Sequence, residues 1–327
     1  MTQRRPRLFT FLTPILLVLF LAGCAVAPTP RNAAIWDFLP AGYQGYGLFE
    51  LEPAREVVDG ILAGWFPREE ERSALLDGVD RVAFALPLAA EGERASGSGS
   101  SSDGGEEQPP GPPRGALAVV ETDFPALAVS LGLRRREDWE RSVLRLGGRR
   151  VRYWQHRDLP LQIAPARGGY AIVSRGALKE ALEVASGAAP AAAIPTEARL
   201  RIERSAGGLY VREPALELPE WLPLRQARLP IREMTLAGSP IREGEGIWTV
   251  SGSAELESEL HARVFSTLVR FLARQSRLEA ESSDADGMLP SLSVEREGTR
   301  IDVEGFLLAE AVLEENLLQA LRLLGYR

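Results

Sequence analysis

Gly47-Leu48-Phe49-Glu50-Leu51-Glu52-Pro53-Ala54 and Gly208-Leu209-Tyr210-Val211-Arg212-Glu213-Pro214-Ala215 are one phrase written twice, with five identities in eight positions and an aromatic exchange. Further matches follow in the same order. Trp65-Phe66-Pro67 meets Trp221-Leu222-Pro223, and Arg81-Val82-Ala83-Phe84-Ala85 meets Glu233-Met234-Thr235-Leu236-Ala237. At a constant offset of 129, Gly115, Leu127, Gly169, Ile172, Gly176 and Leu178 fall on Gly244, Leu256, Gly298, Ile301, Gly305 and Leu307. An ordered set of self-matches is the mark of an internal duplication.

Each half has the same coarse grammar. A short strand (45–51; 207–212) leads through a variable segment to two strands (81–88 and 116–123; 231–238 and 246–254). A helix follows, somewhere within 124–146 in the first half and over 257–278 in the second, where Leu260, Val264, Leu268 and Leu272 recur at four-residue steps. Two more strands (150–155 and 169–174; 291–297 and 299–305) precede a final helix (177–186; 308–324). Alternation such as Val82, Phe84, Leu86, Leu88 fits antiparallel strands with one buried face, and Glu297-Gly298 fits a tight turn. The expected fold class is α+β: two tandem repeated units, each a mostly antiparallel sheet with helices packed on one face.

Composition supplies the boundaries. The first unit is expected over 43–186 and the second over 198–327, joined by a linker at 187–197 whose Gly-Ala-Ala-Pro-Ala-Ala-Ala-Ile-Pro run has little to bury. Residues 89–115, rich in Gly, Ser, Glu and Pro, read as a disordered insertion that the second unit replaces with a short turn.

The N-terminus has a different logic. Arg4, Arg5 and Arg7 precede an apolar run from Leu8 to Ala22, which is the order of a secretory signal and is too short for a spanning helix. The run ends in Leu21-Ala22-Gly23-Cys24, which resembles the lipobox of bacterial lipoproteins. That resemblance implies a signal peptide over 1–23, lipidation of Cys24, and a lipid anchor and tether over 24–42. Several acyl chains on one cysteine would hold the protein to the membrane lastingly. Ala25, rather than an aspartate, after the cysteine resembles lipoproteins of the outer membrane facing the periplasm. Beyond this stretch, the chain is loosely similar to uncharacterised bacterial envelope proteins with tandem repeats. Cys24 is the sole cysteine in 327 residues, so neither an internal disulfide nor a thiolate metal cage can form.

The chemistry-bearing residues are few. The net charge of −7 argues against nucleic acid as a partner. No Gly-x-Ser-x-Gly elbow, zinc-binding His-Glu-x-x-His pair or phosphate-cradling glycine loop occurs, so no cofactor and no metal are expected. The histidines are His156 and His261, the latter on a predicted amphipathic helix. The segment 134–157 stands out, with nine arginines among Trp139, Tyr153, Trp154 and His156 and no counterpart cluster in the other half. Arg149, Arg152, Tyr153, Trp154, His156 and Arg157 are therefore candidates for binding anionic groups, by charge-assisted hydrogen bonds and stacking. The competing reading makes the aromatics core and lets Glu137, Asp138, Glu140 and Asp158 offset the charge.

The sequence thus points to a lipid-anchored envelope protein that binds or scaffolds an envelope protein or an amphiphile without catalysis. A hydrolase acting on an envelope polymer is the alternative, which a cleft lined by converging carboxylates or by His156 would favour.

Overall fold

The computed structural model describes residues 34–63, 69–87, 115–123, 126–166, 168–214, 230–241, 246–281 and 291–309. The leader, Cys24, the two Trp-x-Pro elements, nearly all of the 89–115 insertion and the expected last helix lie outside the described residues.

The strands are β1 (Gly45–Glu50), β2 (Val79–Leu86), β3 (Leu117–Thr122), β4 (Trp139–Leu146), β5 (Arg149–His156), β6 (Gln162–Pro165), β7 (Tyr170–Ser174), β8 (Gly207–Arg212), β9 (Ile231–Pro240), β10 (Ile247–Leu256), β11 (Ser293–Glu297) and β12 (Arg300–Ala309). The helices are α1 (Leu51–Ala63), α2 (Glu69–Leu76), α3 (Ala126–Arg134), α4 (Leu178–Ala185), α5 (Thr196–Glu203) and α6 (Glu259–Glu281). All twelve strands form one antiparallel sheet in the order β11-β12-β10-β9-β8-β1-β2-β3-β7-β6-β5-β4.

The expectation of a separate sheet for each half gives way to this continuous one. β1 and β8 would each have been an edge strand with a row of unpaired amides. By pairing with each other, Gly45 opposite Val211 through Phe49 opposite Gly207, they leave β4 and β11 as the edges among the described strands.

Residues directly opposite across a ladder share a face, so the registers divide the side chains into a front and a back. On the front, Tyr46, Leu48, Ala83, Ala85, Leu117, Val119 and Ile172 form one core with Ile35, Trp36, Phe38 and Leu39, with α4, and with Ile202 of α5. On the back, Phe49, Phe84 and Trp248 pack with α1 and Leu76 of α2. Trp139, Trp154 and Ile163 pack there with Val129 and Leu133 of α3, and Ala254, Leu256 and Ile301 with Ala262 and Phe265 of α6.

Helices therefore cover both faces, not one. The physical reason is visible in β1, where five successive residues are buried, so the middle of the sheet needs a cover on each side. Bare backbone helps the packing at the seam. Gly47 and Gly207 leave room for the Phe84 and Phe49 rings, which lie over them and stack at 5.8 Å between centroids.

Three local expectations also change. Residues 34–42, assigned to the tether, belong to the folded body from Ile35 onward, because Ile35, Trp36, Phe38 and Leu39 are buried. The presumed linker is tied down as well: Ala41 N–H donates to Pro190 O, Ala192 N–H to Leu39 O, and the Arg212 guanidinium to Ala193 O. Finally, the stretch after α3 is a hairpin, β4 and β5, closed by Gly147-Gly148 at φ +52° and +79°, the left-handed pair that a two-residue hairpin loop requires.

β7 pairs with β3 and β12 with β10, so Ile172 faces Val119 and Ile301 faces Ala254. Both isoleucines are fully buried, but Ile172 points to the front core and Ile301 to the back core under α6. The 129-residue offset therefore places these two residues on opposite faces.

Candidate functional site

The arginine-rich stretch folds into α3 and the β4–β5 hairpin at one edge of the sheet. Only Trp154 and Gln155 of β5 pair with β6, so the distal part of the hairpin runs on past its neighbour as a two-stranded arm. Leu144, Leu146, Val151 and Tyr153 turn to the front, where they join the core that includes α4. Trp139, Arg141, Val143, Arg145, Arg150, Arg152, Trp154 and His156 turn to the back.

The six residues singled out from sequence do not converge. Arg149 and Tyr153 face the front, Tyr153 against the core and Arg149 exposed. Trp154 is buried beneath α3 beside Trp139, as a packing residue. His156 is held from three sides: its Nε2 lies 3.3 Å from Asp138 Oδ2, its Nδ1 accepts the Asp158 and Leu159 amides at 3.1 Å each, and Trp139 meets its ring edge-on at 5.1 Å. With Nδ1 accepting two amides, the ring clasps the β5–β6 turn and offers no free basic nitrogen to a substrate. Arg157 is exposed and its backbone amide donates to Asp138 O.

What sequence reading missed is which arginines share a face. Arg141 stands opposite Trp154, Val143 opposite Arg152, and Arg145 opposite Arg150, so four guanidiniums surround one exposed valine on the back of the arm. Val143 is 53 % exposed. Among the described residues none of these four arginines has a hydrogen bond or ion pair to a carboxylate. The period-two alternation of residues 139–146 would have completed the set, had that segment been read as a strand beside the one expected at 150–155.

A concavity of about 390 Å³ lies where the end of β1 meets the α5–β8 turn, lined by Glu50, Pro53, Glu203, Arg204, Ser205 and Ser239 among others. The side chains of Glu203, Ser205 and Ser239 are committed internally. Glu203 accepts from Trp36 Nε1 at 2.8 Å and Arg199 Nε at 2.9 Å, and Ser239 Oγ accepts the Ala206 amide. His261 is also engaged, its Nδ1 lying 2.9 Å from Ser258 Oγ at the start of α6. Among the described residues no group of three or more His, Cys, Asp or Glu side chains is placed to hold a metal ion. No helix among them is long and apolar enough to cross a membrane.

Fold and site together define an α+β protein built on one broad antiparallel sheet, with an arginine-bearing arm at its edge. No family model matches the chain, and no curated protein matches it. Among solved structures it is similar to the protein TP0453. Crystal form I has a TM-score of 0.59, covering 88 % of this chain and 97 % of that one, at 12 % identity. Forms III and IV have TM-scores of 0.56 and 0.54 at the same identity, each again covering 88 % of this chain. A likeness at that identity is one of fold.

Proposed function

We propose that this chain is an exported lipoprotein of the bacterial envelope, anchored through Cys24 and facing the periplasm from the outer membrane. In this reading its folded body binds or scaffolds an envelope protein or an amphiphile without catalysis. The observation that carries the proposal is the charged-then-apolar leader ending in Leu21-Ala22-Gly23-Cys24, with the buried core starting at Ile35. Only about ten residues separate the lipid from the body, a reach of about 35 Å when extended, so the sheet works close to the membrane surface.

The body is further read as two tandem units. In each half the first three strands lie in sequence order outward from the β1–β8 seam, a helix follows the third strand on the back, and the next strand of that half to pair with the third is its closing one. These regularities support duplication at the level of strands, while Ile172 and Ile301 indicate that the register has since slipped by one.

Radiolabelled palmitate and membrane fractionation test the anchor. Wild type should take up label and sediment with membranes, and Cys24→Ser should do neither. An unlabelled wild-type chain that keeps its full leader mass would overturn the reading.

A further inference from the structure

We infer that the back of the β4–β5 arm is a docking surface for the anionic headgroups of a lipid bilayer. The inference rests on the anchored-envelope reading only for its setting. Its substance is the set Arg141, Arg145, Arg150 and Arg152 around Val143.

The four arginines share one face of a two-stranded arm whose other face is buried against the core, so the arm presents them in a fixed array. Arg145 and Arg150 are directly opposite, and like charges in that position destabilise a ladder unless something anionic lies over them. An ordinary solvent-facing strand surface mixes its charges. Here Glu140, the one acid within the two strands, turns to the front, and Asp138 is taken by His156.

The polarity is also local. Residues 134–157 hold nine arginines against Glu137, Asp138 and Glu140, a balance of +6 in a chain whose total is −7. Such a dipolar molecule turns one end toward an anionic surface before contact. The exposed valine at the centre favours a bilayer over a small anion, because a flat interface takes an apolar side chain while the surrounding guanidiniums bond phosphates. An extended acidic peptide along the free edge of β4 would meet Arg141 and Arg145 directly, but Arg150 and Arg152 only across the strand. The bilayer uses all four.

Every described element lies at or beyond Ile35, so a chain starting at residue 25 keeps the whole described fold and lacks the lipidated cysteine. That chain should co-sediment with phosphatidylcholine vesicles containing about 30 mol % phosphatidylglycerol, bind pure phosphatidylcholine at least about tenfold more weakly, and be released by about 0.5 M salt. Each arginine at an anionic surface is worth about fivefold, so Arg145→Gln/Arg150→Gln should weaken binding about 25-fold. Arg145→Lys/Arg150→Lys, which keeps the charge, should stay within about threefold of wild type, as should Arg204→Gln in the α5–β8 turn, which lies at the central seam and away from the arm. Equal binding to neutral and anionic vesicles, or no loss in the Gln pair, would overturn the inference. So would failure to bind vesicles combined with retention on poly-glutamate that the Gln pair abolishes, which would assign the face to an acidic protein. None of these results depends on whether Cys24 is acylated.

Discussion

Tyr46 and Tyr210 sit directly opposite each other where β1 pairs with β8, so the two halves of the chain meet at a pair of buried phenols. The Tyr46 hydroxyl donates to Pro40 O at 2.9 Å and accepts the Tyr43 amide, and the Tyr210 hydroxyl donates to Glu233 at 2.8 Å. Burial pushes both phenols above their usual pKa of 10.0. Tyr46→Phe should cost about 1–2 kcal/mol by orphaning the Pro40 carbonyl and the Tyr43 amide, and Tyr46→Ala about 3–5 kcal/mol by opening a cavity at the seam. Denaturant titration measures both. A cost below about 1 kcal/mol for the alanine variant would mean that the seam does not hold the halves together.

The glycines beside this pair should be as intolerant. A Cβ on Gly47 would stand 2.1 Å from the Phe84 ring and one on Gly207 2.1 Å from the Phe49 ring, so Gly47→Ala must displace a ring already stacked on its neighbour. We expect a loss of about 1–3 kcal/mol. Shortening the obstacle should relieve it: Gly47→Ala with Phe84→Leu should be less destabilised than the two single changes summed, because the residues share one contact. Strict additivity in thermal unfolding would refute the packing account.

Much of the strand grammar was legible because aliphatic alternation and glycine turns are local signals. β1, β8, β9, β10 and the β11–β12 hairpin around Gly298 fall close to where sequence reading put them. The joining of halves was not legible, since Gly45–Phe49 looks the same whether its second neighbour is solvent or β8. Burial on both sides of β1 is a tertiary fact. The 139–146 stretch failed differently: an arginine-rich run with Leu144 and Leu146 supports helix and strand alike, and only Gly147-Gly148 decides for the hairpin. The set of Arg149, Tyr153 and Trp154 has a separate flaw: on the strand expected at 150–155 successive side chains turn to opposite faces, so these residues cannot share one surface.

Across the front, α5 is bound to β12 by an ion network. Arg201 lies 3.1 Å from Asp302, and Arg300 bonds Asp302 at 2.8 Å and Glu197 at 3.0 Å. Arg300's hydrogen bond holds Glu197 below its usual carboxylate range. For Asp302, burial pushes upward, but hydrogen bonds from Arg300 and Arg201 prevail and lower it. Lowered folded-state values mean that the stabilisation is present above the ordinary carboxylate pKa and is lost as pH falls through the folded values. Stability should therefore decline below about pH 4, and Asp302→Asn should flatten that decline while costing about 1 kcal/mol at pH 7, a modest figure because the pair is about a third exposed. Unfolding midpoints measured from pH 7 to pH 2.5 decide it. A variant whose acid profile parallels wild type would show that other carboxylates govern acid unfolding.

The insertion between β2 and β3 should be removable. Ala85 and Leu117 are directly opposite in the β2–β3 ladder, so the ends of the insertion already lie where a tight hairpin turn would join them. Loop-closure cost rises only as the logarithm of length, so exchanging a long connection for a short one changes stability little and in the favourable direction. The exchange must spare Gly115 and Ala116. Ala116 is buried, its carbonyl accepts the Arg175 amide at 3.0 Å, and a Cβ on Gly115 would collide with Arg175 O. Replacing residues 89–113 with a four-residue Gly/Asn turn should thus leave stability within about 1 kcal/mol of wild type or slightly above it. The same replacement carrying Gly115→Val should be clearly less stable, since the collision is with backbone and cannot be relieved by a rotamer change. If the shortened chain itself loses several kcal/mol, the insertion packs on the sheet and has a structural role that its composition hides.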